Sequence, residues 1–175
     1  MIEGEDVIEY KKEDDFKGIV LEEILNFVKE KIGFELIKLP SKWEPPAGSS
    51  QFRQFATPLK CGLLREIAHP NKKLKANKIA VDSSIDSESN QIIKILINGN
   101  VSDLKKYLPI QENVINPLYL FLDEEILLYA NLKGLKFKQK KIKENKIQKF
   151  ENEFEKKHPE VKRAIVNSIL ELYNQ

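Results

Sequence analysis

NKIAVDSSIDSESNQIIKILINGN, residues 77–100, is the stretch on which the fold turns. Ile79, Ala80 and Val81 form an unbroken apolar run that reads as a short buried strand from Lys78 to Val81. Asp82 to Ser89 is polar and rich in helix-capping residue types, and Ile92, Ile93, Ile95, Leu96 and Ile97 then recur at spacings that suit one broad helical face, with Gly99 placed to stop the helix. Strand, polar loop and helix form the repeating unit of open α/β sheets, whose ligand crevice lies beyond the carboxyl ends of the strands. Asp82, Ser83, Ser84, Asp86 and Glu88 therefore fall where a site is built, although helix capping alone also calls for Ser and Asp there.

Working outward toward the N-terminus, Val7 to Tyr10 reads as a strand and residues 11–17 as a charged turn. Residues 18–32 read as a helix with Ile19, Val20, Ile24, Phe27, Val28 and Ile32 as its apolar stripe and Gly33 as its stop. Residues 34–39 alternate as a strand, which completes half of a βαβ unit. Residues 40–58 hold Trp43, Phe52, Arg53 and Phe55 in an irregular stretch, either a loop pinned to the core or aromatics that stack on a base. Residues 59–68 are expected to be helical, with Leu63, Leu64 and Ile67 inward and His69-Pro70 at the end.

Toward the C-terminus, residues 101–108 read as a short helix, 114–121 as a strand or extended segment, and 123–132 as a helix capped by Asp123 and ended by Gly134. Eight lysines follow, at 133, 136, 138, 140, 141, 143, 146 and 149, in a run that is either a solvated face or a row of phosphate contacts. Two further helices are expected. One spans 144–157 with Ile147, Phe150 and Phe154 as its stripe, and one spans 160–173 with Val161, Ala164, Ile165, Ile169 and Leu172 inward.

The 175 residues suffice for one domain, or one with a small appendage, and 41% hydrophobic with 32% charged residues describes a soluble chain. A net charge of +2 does not by itself imply a polyanion partner. One cysteine excludes an internal disulfide or an all-cysteine metal site within one chain. No apolar run approaches the roughly 20 residues of a membrane span, and the acidic, mixed N-terminus is unlike a signal peptide, so a cytoplasmic protein away from membranes is expected.

Five segments, in order, resemble one family, the PP-loop (N-type) ATP pyrophosphatases, and within it the branch that 2-thiolates tRNA. Pro58-Leu59-Lys60-Cys61-Gly62-Leu63-Leu64-Arg65 resembles C-x-x-C-G-x-x-R, and Ala80-Val81-Asp82-Ser83-Ser84-Ile85-Asp86-Ser87-Glu88 resembles A-T-G-H-N-x-D-D-E. Ile97-Asn98-Gly99-Asn100 is similar to the "LLRGD" helix end. Asn116-Pro117-Leu118 with Asp123-Glu124-Glu125-Ile126 and Tyr129-Ala130 resembles "RPL … PEKEVALYA", and Lys157-His158-Pro159-Glu160-Val161-Lys162 resembles the "HPG-x-K" helix start. The resemblance spans about two thirds of the chain. It implies an α/β fold of the adenine nucleotide alpha-hydrolase-like type, a mainly parallel sheet with helices on both faces. Residues 1–132 would form that domain and 133–175 a small lysine-rich helical segment.

The departures are as informative. The loop S-G-G-x-D-S, whose glycines let backbone N–H groups close on a pyrophosphate, is absent. If Val7 to Tyr10 matches the family's first strand, the loop has become Lys11-Lys12-Glu13-Asp14-Asp15-Phe16. If it matches the second strand, which Gly4, Tyr10 and Gly33-Phe34-Glu35-Leu36 favour, the loop is missing outright. The first cysteine of C-x-x-C is Pro58, leaving Cys61 as the residual thiol, and the glycine and histidine of "TGH" are Asp82 and Ser83. One thiol cannot build a cluster scheme, and no zinc ribbon is present. The resemblance thus implies a degenerate member without catalysis or cofactor. It would be a structural or tRNA-binding partner of a catalytic PP-loop thiolation subunit, or a homo-oligomer, with Lys136, Lys138, Lys140, Lys141 and Lys143 as RNA contacts. The alternative is a residual adenylating enzyme that uses ATP and Mg²⁺. Its pocket would be lined by Arg65 as anion contact, Asp86 as metal ligand, and Asp82, Ser84 and Glu88.

Overall fold

The structure, a computed structural model, describes residues 2–39, 66–69, 72–111, 113–139 and 145–173. A central sheet takes the strand order β2-β1-β5-β7-β6, formed by Glu35–Leu39 (β2), Val7–Lys11 (β1), Lys78–Ala80 (β5), Val114–Ile115 (β7) and Ile110–Gln111 (β6). The first four strands run parallel and β6 returns antiparallel at one edge. Glu66–His69 (β3) and Lys72–Lys75 (β4) form a separate antiparallel hairpin. The helices are Phe16–Ile32 (α1), Ile85–Ile97 (α2), Asp123–Leu132 (α3), Lys146–Glu155 (α4) and Val161–Tyr173 (α5), with a 3-10 helix at Val101–Tyr107.

The α/β architecture expected of the sequence is what the chain forms: a mainly parallel sheet with helices on both faces. The reason lies in the order of connections. From β1 the chain crosses through α1 to β2 on one side, and from β5 it crosses through α2 toward β7 on the other. Right-handed crossovers in opposite directions place α1 and α2 on opposite faces. Two clusters of buried side chains follow. Ile8, Tyr10 and Ala80 on the sheet meet Val20, Leu21 and Leu25 of α1 and Ile126 and Ala130 of α3. Ile85, Ile92 and Ile95 of α2 meet Val166 and Ile169 of α5 and Tyr119. Burying each such aliphatic side chain is worth about 1.5–3 kcal/mol, so α1 and α2 are held chiefly by these contacts.

Several local expectations are corrected. The helix expected over 59–68 does not extend through Glu66 to Ala68, whose backbone pairs across the hairpin, Glu66 with Lys75 through His69 with Lys72. Trp43, Phe52, Arg53, Phe55, Cys61 and Arg65 lie outside the described residues. In α1 the inward face is Val20, Leu21 and Leu25, while Phe27 and Ile32 point to solvent. In α5 Val166 and Lys162 are buried where Ala164 and Leu172 were expected. Strand β7 is only two residues long, because the chain turns at 117–120. Gly33, at φ 93°, ends α1 in the left-handed conformation its sequence position suggested.

Candidate functional site

Adjacent strands β1 and β5 send their connections in opposite directions, which makes the gap beyond their carboxyl ends the topological switch point of the sheet. Residues 12–15 follow β1 and residues 81–84 follow β5, so both loops flank this crevice. Residues 116–122, after β7, lead to α3, whose first turn completes it. Asp82, Ser84, Asp86 and Glu88 of the organising stretch all lie here.

The centre of the crevice is a residue the sequence reading passed over. Lys17, in the first turn of α1, donates to Ser84 Oγ at 2.8 Å and Ser87 Oγ at 3.0 Å and pairs with Asp123 Oδ1 at 2.6 Å. One cation therefore ties together the N-terminal turns of α1, α2 and α3. Ser84, wholly buried at the N-cap of α2, uses its hydroxyl on Asp123 rather than on its own helix. Asp123 accordingly does not cap α3. That helix starts on Asp86, whose Oδ2 accepts from the Asp123 N–H at 2.7 Å, and on Glu125, which accepts from the Leu122 N–H at 2.8 Å.

Asp86 has a second partner. Its Oδ1 meets Lys162 of α5 at 2.6 Å, and Lys162, buried, also holds Glu155 at 2.7 Å and Asn152 at 3.1 Å. Arg163 adds Glu125 at 2.5 Å. Both carboxylate oxygens of Asp86, the metal ligand of the enzymatic reading, are thus engaged by protein donors. Lys162 belongs to the segment that resembles "HPG-x-K", which was its only signal in the sequence.

Burial shapes the remaining acids. Burial pushes the Glu88 carboxyl up to about 7, with the Ser83 hydroxyl and the Lys17 charge pulling the other way. One Glu88 oxygen and the Tyr119 hydroxyl are buried without a hydrogen-bond partner among the described residues. Asp82 is raised first by burial and then by the neighbouring charge of Asp15, with Glu13 adding to it. The loop after β1 is pressed against its helix: a Cβ on Gly18 would sit 2.5 Å from the Glu13 Cβ and 2.7 Å from its carbonyl oxygen. Asp15 caps α1 by accepting from the Gly18 N–H at 3.0 Å. The glycine of this strand–loop–helix unit admits the chain's own acidic loop.

With that geometry in hand, comparison with known proteins is informative about the fold. No family model and no curated protein matches the chain. Among solved structures it is similar to the U34-tRNA thiolase NcsA from Methanococcus maripaludis, solved with its 4Fe-4S cluster. The TM-score is 0.65 at 16% identity, over 97% of this chain and 72% of that one. At that identity the likeness is one of fold. Residues for a cluster are not in place: the whole chain has a single cysteine, and among the described residues no group of three or more His, Cys, Asp or Glu could hold a metal ion. A triphosphate fits the crevice poorly, because carboxylates already accept from the N–H groups that start α1 and α3, and the charges of Asp15 and Glu13 already bear on Asp82.

The two sequence-expected sites differ in what is described. Asp82, Ser84, Asp86 and Glu88 are brought together, while Arg65 and Cys61 are outside the described residues. Of the lysine run, Lys136 is exposed, and Lys138 is exposed and pairs with Asp14 at 2.8 Å, while Lys140, Lys141 and Lys143 are outside the described residues. Phe137, between Lys136 and Lys138, packs edge-on against Phe16 at 6.2 Å, which pins this part of the run beside the start of α1. No helix among the described residues is long and apolar enough to cross a membrane.

Proposed function

We propose that this chain is a PP-loop-like scaffold without catalysis, acting as a structural or tRNA-binding partner in tRNA 2-thiolation. One observation carries the non-catalytic half: two of the three helix N-termini at the switch point, which attract anions, are satisfied by the chain's own acids, Asp15 on α1 and Asp86 on α3, while α2 begins at the buried Ser84. Lys17, the cation at the centre, is spent on Asp123. A nucleotide would have to displace these contacts and bring its charge beside Asp82 and Glu88. The thiolation half rests on the fold shared with a tRNA thiolase and on the ordered motif resemblance. The lysines at 133–149 supply the tRNA contact in this reading, with a catalytic thiolation subunit as the protein partner.

The test pairs two titrations of the purified chain. Binding of tRNA should weaken with salt at a log–log slope of about −0.7 to −0.9 per phosphate contact. ATP with Mg²⁺ should give no heat and no pyrophosphate. A flat salt response removes the RNA-binding role, and pyrophosphate release in the presence of tRNA removes the non-catalytic one. The second reading, a residual adenylating enzyme, draws on the buried Glu88, whose carboxyl is raised to about 7 and can accept a proton near neutrality, with the half-buried Asp82 also raised beside it.

A further inference from the structure

Helix α4 sorts its side chains by chemistry. Two of its three acids turn inward: Glu151 is buried and accepts from the Asn90 amide at 2.8 Å, and Glu155 pairs with the buried Lys162, while Glu153 is exposed. Its rings turn outward. Phe150 is 60% exposed and Phe154 40%, an unusual expense for a helix that has an inner face available. The two rings lie 6.0 Å apart and nearly parallel, at 18°, and the His158 ring continues the row 4.6 Å beyond Phe154. Phe150 and Phe154, four residues apart, share one face of α4, and His158, three residues past the helix end, extends the row to a ladder of three rings through its contact with Phe154. Lys146 lies four residues before Phe150 on that same face, and Lys149 within α4 and Lys156 and Lys157 just past its end are also exposed. Glu153 and Glu160 are the exposed acids of this surface.

We propose that this ladder is a stacking platform for the bases of single-stranded RNA, with the flanking lysines on the phosphates. The proposal rests on the RNA-binding reading above and names the surface and the form of RNA it takes. Every base offers a π-face, so exposed parallel rings accept unpaired bases without sequence preference, whereas a duplex keeps its bases stacked on one another. The surrounding cations distinguish this face from an apolar protein-docking patch: the exposed Lys146, Lys149, Lys156 and Lys157 outnumber the exposed Glu153 and Glu160, while Glu151 and Glu155 are turned into the fold.

Fluorescence polarisation with a short labelled oligouridylate, a matched RNA duplex and intact tRNA tests it. The wild-type chain should prefer the single strand. The double variant Phe150→Leu/Phe154→Leu keeps apolar bulk and loses the rings. It should bind the single strand at least about tenfold more weakly, with duplex binding unchanged. Phe150→Tyr/Phe154→Tyr should restore binding, which also shows that any loss comes from stacking and not misfolding. Wild-type affinity in the leucine variant, or a preference for duplex, overturns the platform; a protein-docking face would give the first result. If the leucine variant holds tRNA normally while Lys136→Ala/Lys138→Ala does not, the platform falls and the RNA-binding reading stands. If the wild-type chain binds none of the three, both fall.

Discussion

The crevice at the switch point and the outer face of α4 use lysine in opposite ways. Half-buried Lys17 and buried Lys162 are held by Asp123, Asp86 and Glu155, so their charge is consumed inside the molecule. Lys146, Lys149, Lys156 and Lys157 stand exposed around exposed rings. At the starts of α1 and α3, where the fold would present N–H groups to an anion, the chain has placed its own carboxylates. Where an ordinary helix would bury its aromatics, this one displays them among cations. The contrast teaches that the capacity to meet a polyanion is strongest away from the switch point.

The sharpest way to break the contrast is to empty the crevice of a cation. Lys162→Met leaves the half-buried Asp86 and Glu155 without their shared buried partner and should cost about 3 kcal/mol in urea unfolding, the lower end for a broken buried pair because both acids keep some contact with water. Asp86 also starts α3, so the loss should extend to hydrogen-exchange protection at the N-terminus of α3 as well as in α4 and α5. A loss under about 1 kcal/mol would mean that the lysine is an ordinary surface ion pair.

Glu88 gives the next effect, with a definite sign. Its carboxyl is raised by burial from 4.5 to about 7, so between those pH values the native chain keeps a proton that the unfolded chain has released. Stability is therefore highest below the unfolded value and falls as pH rises through about 7, by on the order of 3 kcal/mol in total. Glu88→Gln should remove that slope, raising the melting temperature at pH 8 while changing it little at pH 5. Equal shifts at both pH values would show that the charge of Glu88 is not the cause. Smaller still is Gly18→Ala. An added Cβ meets backbone of the acidic loop at 2.7 Å, which should cost about 1–3 kcal/mol by overpacking.

Much of this was legible in the sequence, and what was not has a common cause. The strand–loop–helix at residues 77–100 was readable because Ile79 to Val81 and the polar run after them carry local signals. Gly33 and Gly134 mark helix ends by a conformation only glycine adopts easily, at φ 93° and 64°. The hairpin was missed because its pairing partner for Ile67 is Leu74, seven residues on, while Leu63, Leu64 and Ile67 imitate a helical stripe. The inward face of α1 was misjudged because Phe27 and Ile32 are apolar yet exposed, and only the position of α3 decides which face is covered. In the site, the loop after β5 was found but its partners were not. Lys17 is 67 residues from Ser84, and Lys162 is 76 from Asp86, distances over which no periodicity speaks.

The smallest effect on stability tests the other side of the contrast. Lys136 and Lys138 are exposed, and the Lys138–Asp14 pair at 2.8 Å is a surface ion pair of the kind worth about 0–1 kcal/mol. Lys136→Ala/Lys138→Ala should therefore shift the unfolding midpoint by no more than a comparable amount. If these residues contact phosphates, the same double variant should flatten the salt dependence of tRNA binding by a slope of about 1.4 to 1.8, two contacts' worth. Asp14→Asn sharpens the reading. It removes the acid that competes with phosphate for Lys138, so tRNA affinity should rise. A fall in affinity would mean that Asp14 orients Lys138 for binding, and no change would place the phosphate contacts elsewhere in the run.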